Sequence, residues 1–195
     1  MTTERPGQAE GHSSLVADPL HPAEIPSRGF PGARDARAFE QQEQVLTFSS
    51  EILAEPVEWT GHVRAELYVS STAQDTDFIV RVCDVYPDGR SILIADYVRR
   101  ARFREGFEKE VLMEPGKTYR VAFHVGWLSQ IFNRGHRIRV TVASTGAPFY
   151  ESNPNTGKPR TADFPADAVV ATNRVNHNAK FASCVIGPLV AKVAK

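Results

Sequence analysis

Six histidines, His12, His21, His62, His124, His136 and His177, are the side chains best suited to move a proton or hold a metal. None is spaced from another as metal ligands are, and HExxH does not occur. A serine nucleophile is presented by a Gly-x-Ser-x-Gly turn between a strand and a helix. The nearest stretch, Gly11-His12-Ser13-Ser14-Leu15, lacks the second glycine and has no apparent strand before it. There is no HGGG-like oxyanion run, no GxxxxGK[ST] and no GxGxxG. No catalytic residue is assigned. Three acids, Asp75, Asp77 and Asp84, gather at one hairpin and offer the oxygen ligands that calcium takes. Ion pairing to Arg137 or Arg139 is the expected fate of whichever acid is buried, because an unpaired buried carboxylate is costly. Neither a metal nor a cofactor is expected. Cys83 and Cys184 have no CxxC or neighbouring histidine and read as buried free thiols inside strands. The aromatic residues Trp59, Tyr68, Trp127, Phe149 and Tyr150 could stack on sugars, or else pack in a core or against another domain. Trp127 and Tyr150 are the binding candidates among them.

These residues sit on strands. The hairpin from Asp75 to Tyr97 organises the rest: two runs rich in β-branched and aromatic residues flank Pro87-Asp88-Gly89-Arg90. Proline presets the first corner of such a turn, and Gly89 accepts the positive φ needed later in it. The first arm is apolar on both faces, with Phe78, Val80 and Val82 against Ile79, Cys83 and Val85. It therefore reads as a covered central strand. Clean alternation over 61–71, 119–125 and 137–142 predicts strands with one buried and one wet face. Shorter strands are expected at Val45–Phe48, near Val169–Val175 and at Lys180–Ile186. Trp127 to Phe132 reads as a crossover between sheets. Arg99, Arg100, Arg102 and Arg104 read as a solvated strand or loop balanced by Glu105, Glu108 and Glu110.

Residues 1–42 carry prolines and glycines without hydrophobic periodicity and read as an extended arm; 43–195 form the domain. The expected class is all-β: a two-sheet antiparallel sandwich with jelly-roll order. Lys plus Arg equals Asp plus Glu at 23 each, so no charge argument points to nucleic acid or to an anionic membrane. No apolar run approaches the roughly 20 residues that span a bilayer. The first residues show no secretory h-region, which favours a cytoplasmic setting.

Four motifs in order, Asp-Thr-Asp-Phe, Asp-Val-Tyr-Pro-Asp-Gly, Gly-His-Arg-Ile-Arg and Asn-Pro-Asn-Thr-Gly, carry a family resemblance. Over residues 18–190 the chain resembles the C-terminal domain of X-Pro dipeptidyl-peptidase and cocaine esterase-like (CocE/NonD) serine hydrolases. The resemblance implies a galactose-binding-like jelly roll that follows an α/β-hydrolase domain bearing the serine, histidine and aspartate. The triad has no counterpart here. The expected function is therefore a non-catalytic accessory domain supporting a hydrolase site on another domain or chain. The alternative is a stand-alone module for carbohydrate or another small ligand. The expected partner is an α/β-hydrolase domain or subunit, or a second copy of this chain. Ala17-Asp18-Pro19 to Gly32 is similar to the family's interdomain linker, whereas Gly187-Pro188-Leu189 departs from the usual ending.

Overall fold

A computed structural model of the chain describes residues 4–7, 11–26, 34–159, 164 and 166–190. The elements run β1 (His12–Ala17), α1 (Arg37–Glu40), β2 (Leu46–Ser49), β3 (Val57–Ser71), β4 (Asp77–Val85), β5 (Ser91–Arg100), β6 (Tyr119–Phe132), β7 (Arg137–Ala143), β8 (Ala171–Asn176) and β9 (Cys184–Ile186). One sheet has the order β1-β8-β3-β6, with β9 beside β3, and the other has β2-β7-β4-β5. All pairings between these strands are antiparallel. Orders 1-8-3-6 and 2-7-4-5 are those of two Greek keys wound into a jelly-roll sandwich.

Strand β4 lies between β7 and β5, and all nine of its residues are buried. Its inward residues Phe78, Val80 and Val82 meet Val63, Leu67, Val121 and Phe132 of the facing sheet in the main core. Burying each such side chain contributes about 1.5–3 kcal/mol. The outer face of β4 is covered by the chain's own early segment. Ala23, Ile25, Phe39 and Val45 pack there with Ala143 and Tyr150. Phe39 lies on the guanidinium of buried Arg81, with Cζ 4.6 Å from the ring centroid. The same segment bonds to the free edge of β5: Ala36 N–H donates to Ser91 O, and Leu93 N–H donates to Arg34 O. That removes an open edge from the second sheet.

The structure differs from the sequence reading in four places. Residues 12–17, read as arm, form β1 along β8, with Leu15 in the core. The resemblance to a linker over 17–32 falls partly outside the described residues. Trp127–Phe132 is not a crossover but the second half of β6. A bulge explains the misreading. Val63 pairs with Gly126 and Arg64 with His124, so Val125 is the extra residue and the alternation changes phase there. Arg102 is not solvated: it is 2% exposed and sits in a short 3-10 turn after β5. Finally, Cys83 is buried as expected, whereas Cys184 is exposed on the short strand β9.

The chain's unusual ending also has a physical reason. Beyond β9, Thr60 N–H donates to Pro188 O and Val190 N–H to Glu58 O, which continues pairing along β3. Gly187 lies against the Trp59 indole, where an added Cβ would overlap the ring.

Candidate functional site

The polar residues singled out by type converge in two clasps, one at each end of β4. At its entry, the Asp75 carboxylate accepts from Arg102 N–H and Nε at 2.8 Å each, and from Asn153 Nδ2 at 2.7 Å. Asp77 accepts from Arg100 Nε at 2.9 Å and Nη2 at 3.1 Å, and from the same Asn153 amide at 2.9 Å. One side-chain amide thus bridges two buried carboxylates, and two guanidinium groups balance their charge. Burial pushes the Asp77 carboxyl above its ordinary value, while the bonds from Arg100 and Asn153 oppose that push. Arg100 is held above its ordinary value by Asp77.

Asn153 Oδ1 accepts from Asn155 N–H at 3.0 Å, and Asn155 Nδ2 donates to Ala17 O and Val169 O. Asn155 has φ 64°, a left-handed conformation that asparagine tolerates better than most residues. Arg102 Nη2 donates to Lys158 O at 2.9 Å. Asp-Thr-Asp and Asn-Pro-Asn, far apart in the chain, therefore form a single lock that ties β1, β4, β5 and the loop before β8.

The other end of β4 carries the second clasp. Asp84 faces inward between the sheets. It accepts from His136 Nδ1 at 2.8 Å and from Gln130 Nε2 of the opposite sheet at 3.1 Å. The Tyr86 ring lies 4.3 Å from the imidazole. Gly89 closes the β4–β5 turn at φ 89°, as the hairpin requires. Gly-His-Arg-Ile-Arg thus meets Asp-Val-Tyr-Pro-Asp-Gly through a buried imidazole–carboxylate hydrogen bond.

The expected partnership of Asp75 or Asp77 with Arg137 or Arg139 is corrected by these geometries. Arg137 donates to Ser50 O at 2.7 Å, and Arg139 pairs with Glu40 of α1 at 2.7 Å. On β7, Arg137 and Arg139 stand opposite Val85 and Cys83 at the far end of β4, whereas Asp75 and Asp77 lie at its entry. Sequence reasoning misses Arg100, Arg102, Asn153 and Asn155 as the real partners. Two asparagines flanking a proline, in a chain with paired acids elsewhere, is the one signal that could have suggested a buried lock.

Trp127 and Tyr150 are not brought together. Trp127 stands on the outer face of the five-stranded sheet, 77% exposed, with the His62 imidazole against its ring and His124 beyond at 4.6 Å from His62. Burial holds His62 below its ordinary pKa. Tyr150 is half-buried on the outer face of the other sheet. There burial and nearby Asp96 push its hydroxyl pKa up. Trp59 packs edge-on against Phe132 in the core.

Catalytic geometry is partial at best. Ser13 Oγ lies 3.1 Å from His177 Nε2, the one serine–histidine pair among the described hydrogen bonds. The other ring nitrogen lies beside Gly11, and no ion pair to His177 occurs among the described residues. A triad needs an orienting acid and oxyanion donors as well. Among the described residues there is no group of three or more His, Cys, Asp or Glu that could hold a metal. No described helix is long and apolar enough to cross a membrane.

The acids, arginines and asparagines of the four motifs are thus committed to internal locks of a jelly-roll sandwich. The chain belongs to the family of the X-Pro dipeptidyl-peptidase C-terminal non-catalytic domain, whose pattern it matches over residues 4–186. It is 36% identical over 189 residues to cocaine esterase of Rhodococcus sp., covering 93% of this chain and 33% of that protein. It is also similar to an aminopeptidase from a marine-sediment Thaumarchaeota archaeon, at 27% identity and TM-score 0.89, covering 96% of this chain and 34% of the other. An α-amino acid ester hydrolase matches at 27% identity and TM-score 0.87, covering 95% and 34%. The chain thus spans about a third of the length of each of these relatives.

Proposed function

We propose that this domain acts against an α/β-hydrolase domain, on the same polypeptide or a separate one, and helps shape the acyl-binding side of that domain's active site. The observation that carries the reading is the internal use of Asp75, Asp77, Arg102, Asn153 and the Asp84–His136 pair, in a chain that spans a third of hydrolytic relatives. Its contribution is to fix loops and exclude water, leaving bond chemistry to its partner. The relatives' names span amino-acid esters, peptides and cocaine, so the reaction supported is acyl transfer to water from an ester or amide. The test replaces the C-terminal third of Rhodococcus cocaine esterase with this chain. The chimera is expected to fold and hydrolyse ester, while the isolated chain turns over neither p-nitrophenyl esters nor X-Pro anilides. Turnover by the isolated chain that is lost in Ser13→Ala would overturn the reading.

A second reading rests on Trp127. Its exposure and its fixed orientation against His62, beside the Thr60–Ser129 hydroxyl pair, suit stacking on a sugar ring. Calorimetric binding of an oligosaccharide, lost in Trp127→Ala, would favour a stand-alone binding module.

A further inference from the structure

Three rings stand in a row on the outer face of the five-stranded sheet, and the bulge in β6 makes the row. Outward residues of a regular strand are two apart. With Val125 as the extra residue, His124 and Trp127 become successive outward positions. They flank His62 of β3, which pairs with Trp127 and lies diagonal to His124. The ring centroids of His62 and Trp127 are 3.4 Å apart, and those of His62 and His124 are 4.6 Å apart with their planes at 66°. His62 is half-buried, and its Nε2 is closed to solvent without a hydrogen-bond partner. Native chains rarely leave a polar atom in that state uncompensated. His124 beside it is exposed and open to ions from solution. Bulges are frequent beside functional sites, where they re-aim a side chain.

We propose that His62 and His124 chelate a divalent transition-metal ion, Cu2+ or Ni2+, beside the Trp127 indole. The two histidines are far apart in the chain, so their spacing in the sequence is silent about the pair. An imidazole nitrogen binds such an ion at about 2.0–2.1 Å, which puts the ring centroid about 3.2 Å from it. Two rings at a right angle about the ion then have centroids about 4.5 Å apart; a tetrahedral angle gives about 5.2 Å and opposed rings about 6.4 Å. The 4.6 Å between these rings matches the right angle. That angle belongs to the tetragonal or octahedral centres that Cu2+ and Ni2+ adopt, and Cu2+ ranks first in affinity for such nitrogen donors. The ladder places Arg64 opposite His124, and no ion pair to either imidazole occurs among the described residues. Such a donor set does not suit Ca2+ or Mg2+, which take oxygen ligands. Water fills the remaining positions of the ion, which ties β3 to β6 across the bulge. The proposal needs no hydrolase domain and stands apart from the accessory reading.

The test titrates CuCl2 and NiCl2 into the untagged chain near neutral pH and follows tryptophan fluorescence. Saturable quenching is expected from both, tighter for Cu2+, and none from MgCl2 or CaCl2. His62→Gln and His124→Gln should each weaken Cu2+ binding by about tenfold or more, because each removes one arm of a chelate. His12→Gln and His177→Gln should leave it unchanged. Paramagnetic resonance of the Cu2+ complex should show two imidazole nitrogens on the ion, falling to one in either ligand variant. Trp127→Phe should keep the Cu2+ affinity by calorimetry and lose most of the quenching, which sets the indole beside the ion and not among its ligands. His124 is exposed, so its variant folds and keeps the test decisive even where His62→Gln does not. Quenching that never saturates, Cu2+ affinity unchanged in His124→Gln, or a single imidazole in the parent complex would overturn the proposal.

Discussion

Replacing Asn153 by alanine removes one amide that serves two buried acids. The Asp75 and Asp77 carboxylates each lose a hydrogen bond from Asn153 Nδ2, at 2.7 and 2.9 Å, and Asn155 N–H loses its acceptor. A bond to a charged group contributes about 1.5–3 kcal/mol and a neutral one about 1 kcal/mol. Arg100 and Arg102 stay in place, and water entering the small space left by the side chain recovers part of the loss. The expected cost is about 3–5 kcal/mol, a large share of the stability of an ordinary domain. For a chain of this size that lowers Tm by about 6–20 °C. Urea denaturation followed by tryptophan fluorescence measures it as a shift in midpoint at constant slope. A loss below about 1 kcal/mol would refute the lock as the element holding the loop before β8 to β4. Asn153→Asp should be worse than alanine, because it places a third carboxylate among two.

Other substitutions test the remaining features. His136→Ala leaves the buried Asp84 carboxylate with Gln130 alone and should cost about 2–4 kcal/mol by denaturant titration, more than Asp84→Asn in the same assay. Burial pushes the Cys83 thiol up to about 12, so alkylation at pH 8 should modify only Cys184 in the folded chain and both cysteines in denaturant. Gly187→Ala places a methyl in the Trp59 indole and should cost about 1–3 kcal/mol, with faster amide exchange at Thr60 and Val190. The Arg120 guanidinium holds the Glu66 carboxyl below its ordinary value of 4.5. That contribution is full above the unfolded value and fades as pH falls through the folded one. The pair is partly exposed, so Arg120→Gln should remove less than about 1 kcal/mol at pH 7, and stability curves of the two proteins should converge in acid.

Much of the architecture was legible because period-two alternation is a local signal. The β4–β5 hairpin, the buried character of β4 and the sandwich class follow from residue order alone, since each needs only near neighbours to be read. The partners of Asp75 and Asp77 were not legible. Arginines on a strand look solvated when counted beside glutamates, and nothing local shows that Arg102 turns inward at the end of β5. Asn153 lies far along the chain from the acids it joins, and a loop asparagine carries no periodicity. Trp127 was misplaced for a different reason: one extra residue in β6 changes the phase of the pattern, so the second half of the strand looks irregular when read against the first. The family resemblance placed the four motifs in order, and only the folded chain shows that they lock in pairs.

The extra residue in β6 marks a place where the strand can lose length without turning over. Deleting Val125 would let Gly126 follow His124 in an unbroken ladder, with Leu128, Gln130 and Phe132 still towards the core and Trp127, Ser129 and Ile131 still towards solvent. Gln130 would keep Asp84 and Phe132 would keep Trp59, at the cost of the buried Val125 side chain. A single-codon loss beyond Gly126 would instead exchange the two faces for every later residue of the strand and should be far more damaging.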